Sequence, residues 1–496
     1  MVSPRWMMGR FAKAGAALVA LGAGGLLFWH LVGARLRIQR VLLIRSQAMA
    51  VDPALDRGLE TLLSDHLEVL AGATVIHATA VPKGPDLERL PADTRLMTYQ
   101  GRRDGDRLVL TTAWTTRARL AAGAPWVSED PGPLPPAEAL ARWVARWPLS
   151  RRFRGRAALL PRTPDHVWEL LRILSIRDDQ EAARNLEATR RLAEAEPGCA
   201  PAWTALGDHL YRSLWIHPET AGSGLNARMN KAFTRALQLI PGYPRATYLW
   251  SLMLTDIGDQ RRALQALILA ARRRPEVPDL YLGFAYAGRT TGLLAGAKLA
   301  LARRQQILGS LADPSPWSAE TTYLYLGETA AFEQELARAR AVRLDASILF
   351  YQGYLALLKG QREQALAFMK QGSALEGGPI PFRDLCQAYQ ALLEGRPQDG
   401  LAGLREVDQV RGRLRIPDGE WTFKEAEIYS LLGNADRGVD AATRAFVQGF
   451  TCARWYEASP FLAGVRAHPR WPMLHRNILE RQAALEASFP PATFAP

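Results

Sequence analysis

The sequence predicts a mainly α fold, a solenoid of paired helices preceded by one transmembrane helix and a small α+β domain. Three observations carry this reading. A glycine recurs at intervals near 34 residues through the second half of the chain. An uncharged apolar run stands near the start, and between the two an Asp-Gly dipeptide separates strand-like runs. The 496 residues are 48% hydrophobic and 22% charged, the balance of a folded chain rather than a disordered one.

The apolar run, AGAALVALGAGGLLFWHLV from Ala14 to Val32, has no Asp, Glu, Lys or Arg. As a helix its 19 residues span about 28 Å, close to the ~30 Å hydrocarbon core of a bilayer. Trp29 and His30 lie near one end, where amphipathic rings favour the membrane interface. Residues 14–33 are therefore read as an anchor and residues 1–13 as a short cytoplasmic tail. The run exceeds the usual core of a signal peptide, which favours an anchor over cleavage at Val32-Gly33-Ala34. Flanking charge does not orient it: Arg5, Arg10, Lys13 and the amino terminus precede it, and Arg35, Arg37, Arg40 and Arg45 follow. Ala12, Ala16, Ala20 and Gly24 make a small-residue stripe through which two copies could pair as a homodimer.

Residues 40–150 read as the α+β domain. RVLLIR (Arg40–Arg45) is an apolar run of strand length. DPALDRGLETLLSDHLEVL follows with leucines at helical spacing, Asp52 as N-cap and Pro53 at the first helical position. TVIHATA is a second strand, and Asp104-Gly105 marks a hairpin between two more. PPAEALARWVARW closes the unit as an amphipathic helix, giving the order β-α-β-β-β-α. The apolar helix, the strand ending near His77, the RRDGDR hairpin and the Trp126 strand resemble the TolB amino-terminal type of domain. Bacterial signalling proteins place that domain between a membrane span and tetratricopeptide repeats. The resemblance implies the bacterial inner membrane, one span, and the bulk of the chain in the periplasm. The region before the anchor is too short for their kinase, cyclase or winged-helix module, so no output function is carried over.

Residues 165–447 hold the repeats. Gly258 recurs as Gly292, Gly360, Gly395 and Gly433, at steps of 34, twice 34, 35 and 38. A small residue stands five positions after each: Ala263, Ala297, Ala365, Gly400 and Gly438. The expected reason is that small residues let the two helices of a unit cross closely. Trp250, Leu254, Leu267 and Pro275 in one unit, and Tyr281, Phe284, Ala285 and Leu301 in the next, complete the pattern. Thr321–Arg343 supplies a short, irregular pair, and about eight units are read in all. As a set they are similar to tetratricopeptide repeats. ARWYEASPFLAGVRAHPRWPMLHRNILERQ, within residues 448–490, resembles the closing segment of the same bacterial proteins and reads as a helical cap.

The net charge of +13 invites a nucleic-acid reading, but only seven of the 62 basic residues are Lys, and the Arg residues are scattered among Glu and Asp on helical faces. No nucleic-acid partner is expected. Cys199, Cys386 and Cys452 form no CxxC pair, and His209, His217 and Glu219 have no fixed ligand spacing. GRTTGLLAGAK lacks the preceding strand and the Lys-Ser/Thr of a phosphate loop, and neither HExxH nor GxSxG occurs. No catalytic residue, cofactor or metal is expected, and the chain reads as a non-enzyme. The tetratricopeptide resemblance implies instead a partner-binding groove on the inner faces of the first helices. Its lining includes Arg245, Tyr248, Asp279, Tyr286, Arg289, Phe350, Tyr354, Phe382, Tyr389 and Phe423, rich in the residue types that dominate binding hot spots. The expected function is a membrane-anchored scaffold that holds a protein or peptide in this groove within the cell envelope. The alternative is a sensor whose α+β domain binds a small ligand or modulates a partner's activity.

Overall fold

Gly105, at φ +61°, lets β3 (Arg95–Asp104) turn into β4 (Arg107–Thr116) through two residues, with Asp104 facing Arg107. Around this hairpin the computed structural model builds a five-stranded sheet. It describes residues 39–45, 52–78, 81, 83–91, 94–123, 126–129, 132–145, 158–216, 224–309, 321–342, 344–375, 380–411 and 418–495. The expected tail 1–13, the anchor 14–33 and its small-residue stripe lie outside these, as do His217 and Glu219. Among the described residues no helix is long and apolar enough to cross a membrane.

The sheet runs β2-β1-β3-β4-β5, with β1 (Gln39–Arg45) parallel to both β2 (Ala73–Ala78) and β3. β5 (Val127–Glu129), next to Trp126, adds an antiparallel edge that the order β-α-β-β-β-α leaves out. Helix α1 (Pro53–His66) starts on the expected cap: the Asp52 carboxylate accepts from the amides of Ala54 and Leu55, each at 3.0 Å. A π-helical turn, Leu67–Ala71, follows α1 directly. Two short helices, α2 (Pro85–Arg89) and α3 (Arg117–Ala121), and the closing helix α4 (Pro136–Ala145) complete the unit. Strand β1 is buried on both faces, Val41 and Leu43 packing with the leucines of α1 and Leu42 and Ile44 with Ile76 and Leu96. A continuous apolar run in a strand with parallel neighbours has this cause.

The rest of the described chain is helical. An irregular opening section comprises α5 (Pro164–Leu174), α6 (Asp179–Arg184) and α7 (Leu186–Ala195), followed by α8 (Ala200–Ile216) and α9 (Leu225–Leu239). Six hairpins come next: α10 (Pro244–Asp256) with α11 (Gln260–Arg273), α12 (Pro278–Thr290) with α13 (Leu294–Leu308), α14 (Thr321–Tyr325) with α15 (Thr329–Val342), α16 (Ala346–Leu358) with α17 (Arg362–Ser373), α18 (Ile380–Leu393) with α19 (Pro397–Arg411), and α20 (Gly419–Leu431) with α21 (Ala435–Val447). The cap holds α22 (Ala453–Ala458), α23 (Ala463–Arg466), α24 (Trp471–Ser488) and a final 3-10 turn, Pro491–Phe494. Each first helix packs on its own second helix, and α10 on α12 and α16 on α18 stack unit upon unit.

The turn glycines serve a different end from close crossing. Gly258, Gly292, Gly360, Gly395 and Gly433 all sit at φ between +72° and +84°, the left-handed region open to a residue without Cβ. Gly327, at φ +73°, holds the same place and fills the doubled step with a 35 and a 33. At every one of these turns except that of Gly292, the residue after the glycine then closes the Schellman bond back across the helix end: Asp259 to the Leu254 carbonyl at 2.8 Å, Glu328 to Tyr323 at 2.9 Å, Gln361 to Ala356 at 2.9 Å, Arg396 to Ala391 at 2.8 Å and Asn434 to Tyr429 at 2.9 Å. A Cβ at Gly360, Gly395 or Gly433 would meet nothing within 4 Å, so crowding is not what excludes one there. The small residues five positions on do pack as expected: Ala263, Ala297 and Ala365 are fully buried.

The sheet unit and the helical array share one core. Val41, Leu59 and Leu63 belong to the same buried cluster as Leu171, Phe233, Leu267 and Phe284. Gly58 of α1 lies so close to α5 that a Cβ there would overlap the Leu171 carbonyl. The Thr74 hydroxyl of β2 donates to the Glu276 carbonyl at 3.1 Å, and Asp65 of α1 pairs with Arg245 of α10 at 3.3 Å.

Candidate functional site

The inner faces of the first helices meet the chain's own C-terminal hairpin. Two backbone bonds and one from a side chain join hairpins α10–α11 and α12–α13 to elements that come more than a hundred residues later. The Asp418 amide donates to the Asp256 carbonyl at 3.2 Å, the Thr451 amide to the Thr290 carbonyl at 2.8 Å, and the Gln260 side-chain amide to the Gly449 carbonyl at 3.0 Å. Gly258 and Gly292, unlike the later turn glycines, are crowded at this seam, Gly258 by Gln448 and Gly292 by Gln482 and Cys452.

Helix α20 is the middle of the contact. Glu420, Lys424, Glu425 and Glu427 on it are all buried, which no amphipathic pattern announces. Asp418 caps it from the left-handed region at φ +41°, accepting from the amides of Glu420 and Trp421 at 3.1 and 3.2 Å. Glu420 takes the Arg289 guanidinium at 3.0 Å and the Tyr325 hydroxyl. Glu427 takes the Tyr354 hydroxyl at 2.8 Å, the Ser459 hydroxyl, and the Lys424 ammonium at 3.1 Å. Lys424 also stands 4.0 Å from the centre of the Tyr354 ring, within 6 Å of Tyr325, Phe423 and Trp455. Burial pulls the Lys424 amine below its ordinary value, and Glu427 opposes that pull.

At the other end of the seam the Asp256 carboxylate receives the hydroxyls of both Tyr211 and Tyr286. Burial first, and the Asp418 carboxylate second, push Asp256 up to about 8, with a smaller upward push from Glu420, while the two tyrosine hydrogen bonds pull it down. The sign of the linkage is fixed by this direction. The folded chain holds the proton on Asp256 where the unfolded chain has released it, so stability from this group is full below about pH 4 and is lost as pH rises to about 8. The limiting slope is about 1.4 kcal/mol per pH unit. Urea midpoints of the wild type should therefore fall more steeply between about pH 5 and about pH 8 than those of Asp256→Asn. Parallel curves would place an ionised carboxylate in the seam.

Apart from the exposed Asp279, the residues of the expected groove are engaged within the molecule. Arg245 pairs with Asp65, and Tyr248 packs with Leu252 and Leu282. Tyr286 binds Asp256 and carries the Arg289 guanidinium 4.8 Å above its ring, while Arg289 itself binds Glu420. Phe350 is enclosed by Tyr351, Tyr354, Phe382 and Tyr389, and Phe423 by Phe450 and Tyr456. Of the wider row only Asp279 is exposed. The expectation of an open aromatic row is corrected on this point: those rings fill the join between units and the join to the cap, where stacking removes more apolar surface from water than a solvent-lined groove would. Glu425 and Glu427 are the buried partners of Arg444 and Lys424. His209 is buried with the Thr189 hydroxyl at 3.0 Å from Nδ1, and burial pushes its ring down to about 4. Among the described residues no group of His, Cys, Asp and Glu could hold a metal ion.

No family model and no curated protein matches this chain. Among solved structures it is similar to one titled "Crystal structure of APC/C hetero-tetramer Cut9-Hcn1", at 12% sequence identity and a TM-score of 0.36, over 70% of this chain and 78% of that one. A likeness of that size carries no argument about function, which rests on the geometry above. The chain is a mainly helical protein of stacked hairpins with one small sheet built into the same core.

Proposed function

We propose that the chain is a protein-interaction scaffold, anchored in the bacterial inner membrane by residues 14–33 and presenting its helical array in the periplasm. The observation that carries the scaffold reading is the run of six hairpins on glycine turns, an architecture that offers a long surface made of repeated units. The TolB-like and tetratricopeptide-like sequence features support the topology. Because the inner row is occupied, partner contact is assigned to the outward faces and to the chain's ends rather than to Tyr286, Tyr354 and Tyr389. Crosslinked full-length chain captured from its native membrane should retain a defined partner, and a reporter fused after Pro496 should be active outside the cytoplasm. Capture of nothing, or a reporter active only in the cytoplasm, would sink the scaffold and the topology respectively.

A second reading, the sensor, is favoured by one feature. The π-helical turn Leu67–Ala71 stands at the seam between the sheet unit and the array, beside the Asp65–Arg245 pair, and single π turns gather at functional sites. Because the core is shared, a ligand there would stabilise the whole chain, and thermal shift of the full protein is its test.

A further inference from the structure

One stretch of the array carries charge of a single sign. Residues 224–309 hold thirteen basic and four acidic residues, which makes nine of the chain's thirteen net positive charges. The second helices account for most of them: α9, α11 and α13 together have ten Lys or Arg and no Asp or Glu. The later second helices mix the signs, with Glu333, Glu363, Asp399 and Asp436 exposed on α15, α17, α19 and α21. On each basic helix the exposed residues recur at helical spacing opposite a buried face, as Arg228 and Lys231, Leu269 and Arg272, and Lys298 and Ala302 do. Arg273 reaches from α11 to the turn after α9, lying against Gly242. Acids meet this face at its borders, Asp259 at the N-cap of α11, Asp279 at the start of α12 and Glu328 beside Lys298. Two leucines stand among the charges, Leu269 at 55% exposure and Leu299 at 44%. A phosphate backbone or an acidic protein has no use for them, whereas the acyl boundary of a bilayer takes apolar side chains beside basic ones. The path to the proposed anchor also starts here. Strand β1 begins at Gln39, opposite Ala73, and the next residue of β2, Thr74, donates to the Glu276 carbonyl just past the end of α11. Five residues separate Gln39 from residue 33, a tether of at most about 22 Å.

We propose that the outer face of α9, α11 and α13 lies on an anionic lipid bilayer, its Arg and Lys side chains on headgroup phosphates and Leu269 and Leu299 in the acyl boundary. The outer faces of α15 to α21 are left for partners. The nearness of the bilayer rests on the anchored reading. The test uses purified chain and vesicles, with no cellular partner and no assumed topology, so its failure is distinct from that of the capture or reporter experiment. Cys199, Cys386 and Cys452 are buried, so a polarity-sensitive fluorophore can be placed through Leu269→Cys or, in a second protein, Leu299→Cys. The labelled full chain is mixed with vesicles of phosphatidylglycerol and phosphatidylcholine, or of phosphatidylcholine alone. Emission should move to the blue in the anionic vesicles only, and should return at about 1 M salt, where the screening length is about 3 Å. The fourfold variant Arg228→Glu, Lys231→Glu, Arg272→Glu, Arg273→Glu should lose the shift, each basic residue at an anionic surface being worth about fivefold in occupancy. A label at Val447→Cys, a position 69% exposed on α21, should not respond. No shift at either leucine, the same shift in uncharged vesicles, or an equal shift at Val447→Cys overturns the proposal. A label that responds to polyglutamate or DNA as it does to anionic vesicles gives the face to an acidic protein or a nucleic acid and overturns it as well. Should the reversed chain not fold, the lipid and salt comparisons on the labelled chain decide alone.

Discussion

Glu427→Ala should lower the unfolding free energy by about 3–5 kcal/mol, a large share of what holds a domain folded. The change leaves the Lys424 ammonium in the interior without its hydrogen-bonded carboxylate, with ring faces and the more distant Glu420 around it, and it strips the Tyr354 and Ser459 hydroxyls of their acceptor. A lone buried charge costs far more than the pair gains, because its desolvation is no longer offset. The asymmetry gives a second arm. Lys424→Met with Glu427→Leu removes both charges at similar volume and should recover most of the loss, whereas either single change should not. Urea unfolding of the full chain, followed by tryptophan emission, reads the wild type and the four variants. A Glu427→Ala midpoint within about 1 kcal/mol of wild type would mean that water reaches α20 and that the seam is open in solution.

Gly58→Val should cost about 3 kcal/mol, at the upper end of overpacking effects, because the obstacle is a backbone carbonyl and not the tip of a side chain. To admit a Cβ, α1 must back away from α5, loosening the Leu59, Leu63 and Leu171 contacts on which the shared core depends. Gly360→Ala is the matched control. It also replaces a glycine by a larger residue, but its Cβ meets nothing, and only the left-handed φ of +72° is penalised, by about 1–2 kcal/mol. If the sheet unit were a separate module, Gly58→Val would split the unfolding curve into two transitions. One transition, moved to lower urea, is the expected result.

The contrast between these two glycines shows what a single sequence discloses. The spacing of Gly258, Gly292, Gly360, Gly395 and Gly433 is legible because a helix end needing φ > 0 tolerates few other residues. Gly327 is harder to read because its first helix, Thr321–Tyr325, is too short to show helical periodicity. The Asp52 cap and the Asp104-Gly105 hairpin were legible for the same local reason. Local signals end where long-range pairing begins. Nothing near Glu420 in sequence points to Arg289, 131 residues away, and nothing near Glu427 points to Tyr354, 73 residues away. Tyrosine in a first helix is a hot-spot residue when the face is open and a core residue when it is closed, and only the pairing of distant units decides which.

The seam also sets a timetable for biosynthesis. Gln260 waits for the carbonyl of Gly449, 189 residues later, and Arg261 waits for Ser488, 227 residues later. At about 5–20 residues per second, a ribosome takes on the order of ten to forty seconds to deliver the first of these partners. For that interval the nascent hairpins α10–α13 display Tyr286, Arg289 and Asp256 to whatever is near. An open stack of units can settle as it emerges, each on its neighbour, but this one cannot finish any of its middle until its end has been made. A cell that makes it has reason to shield the middle of the chain while the rest is translated.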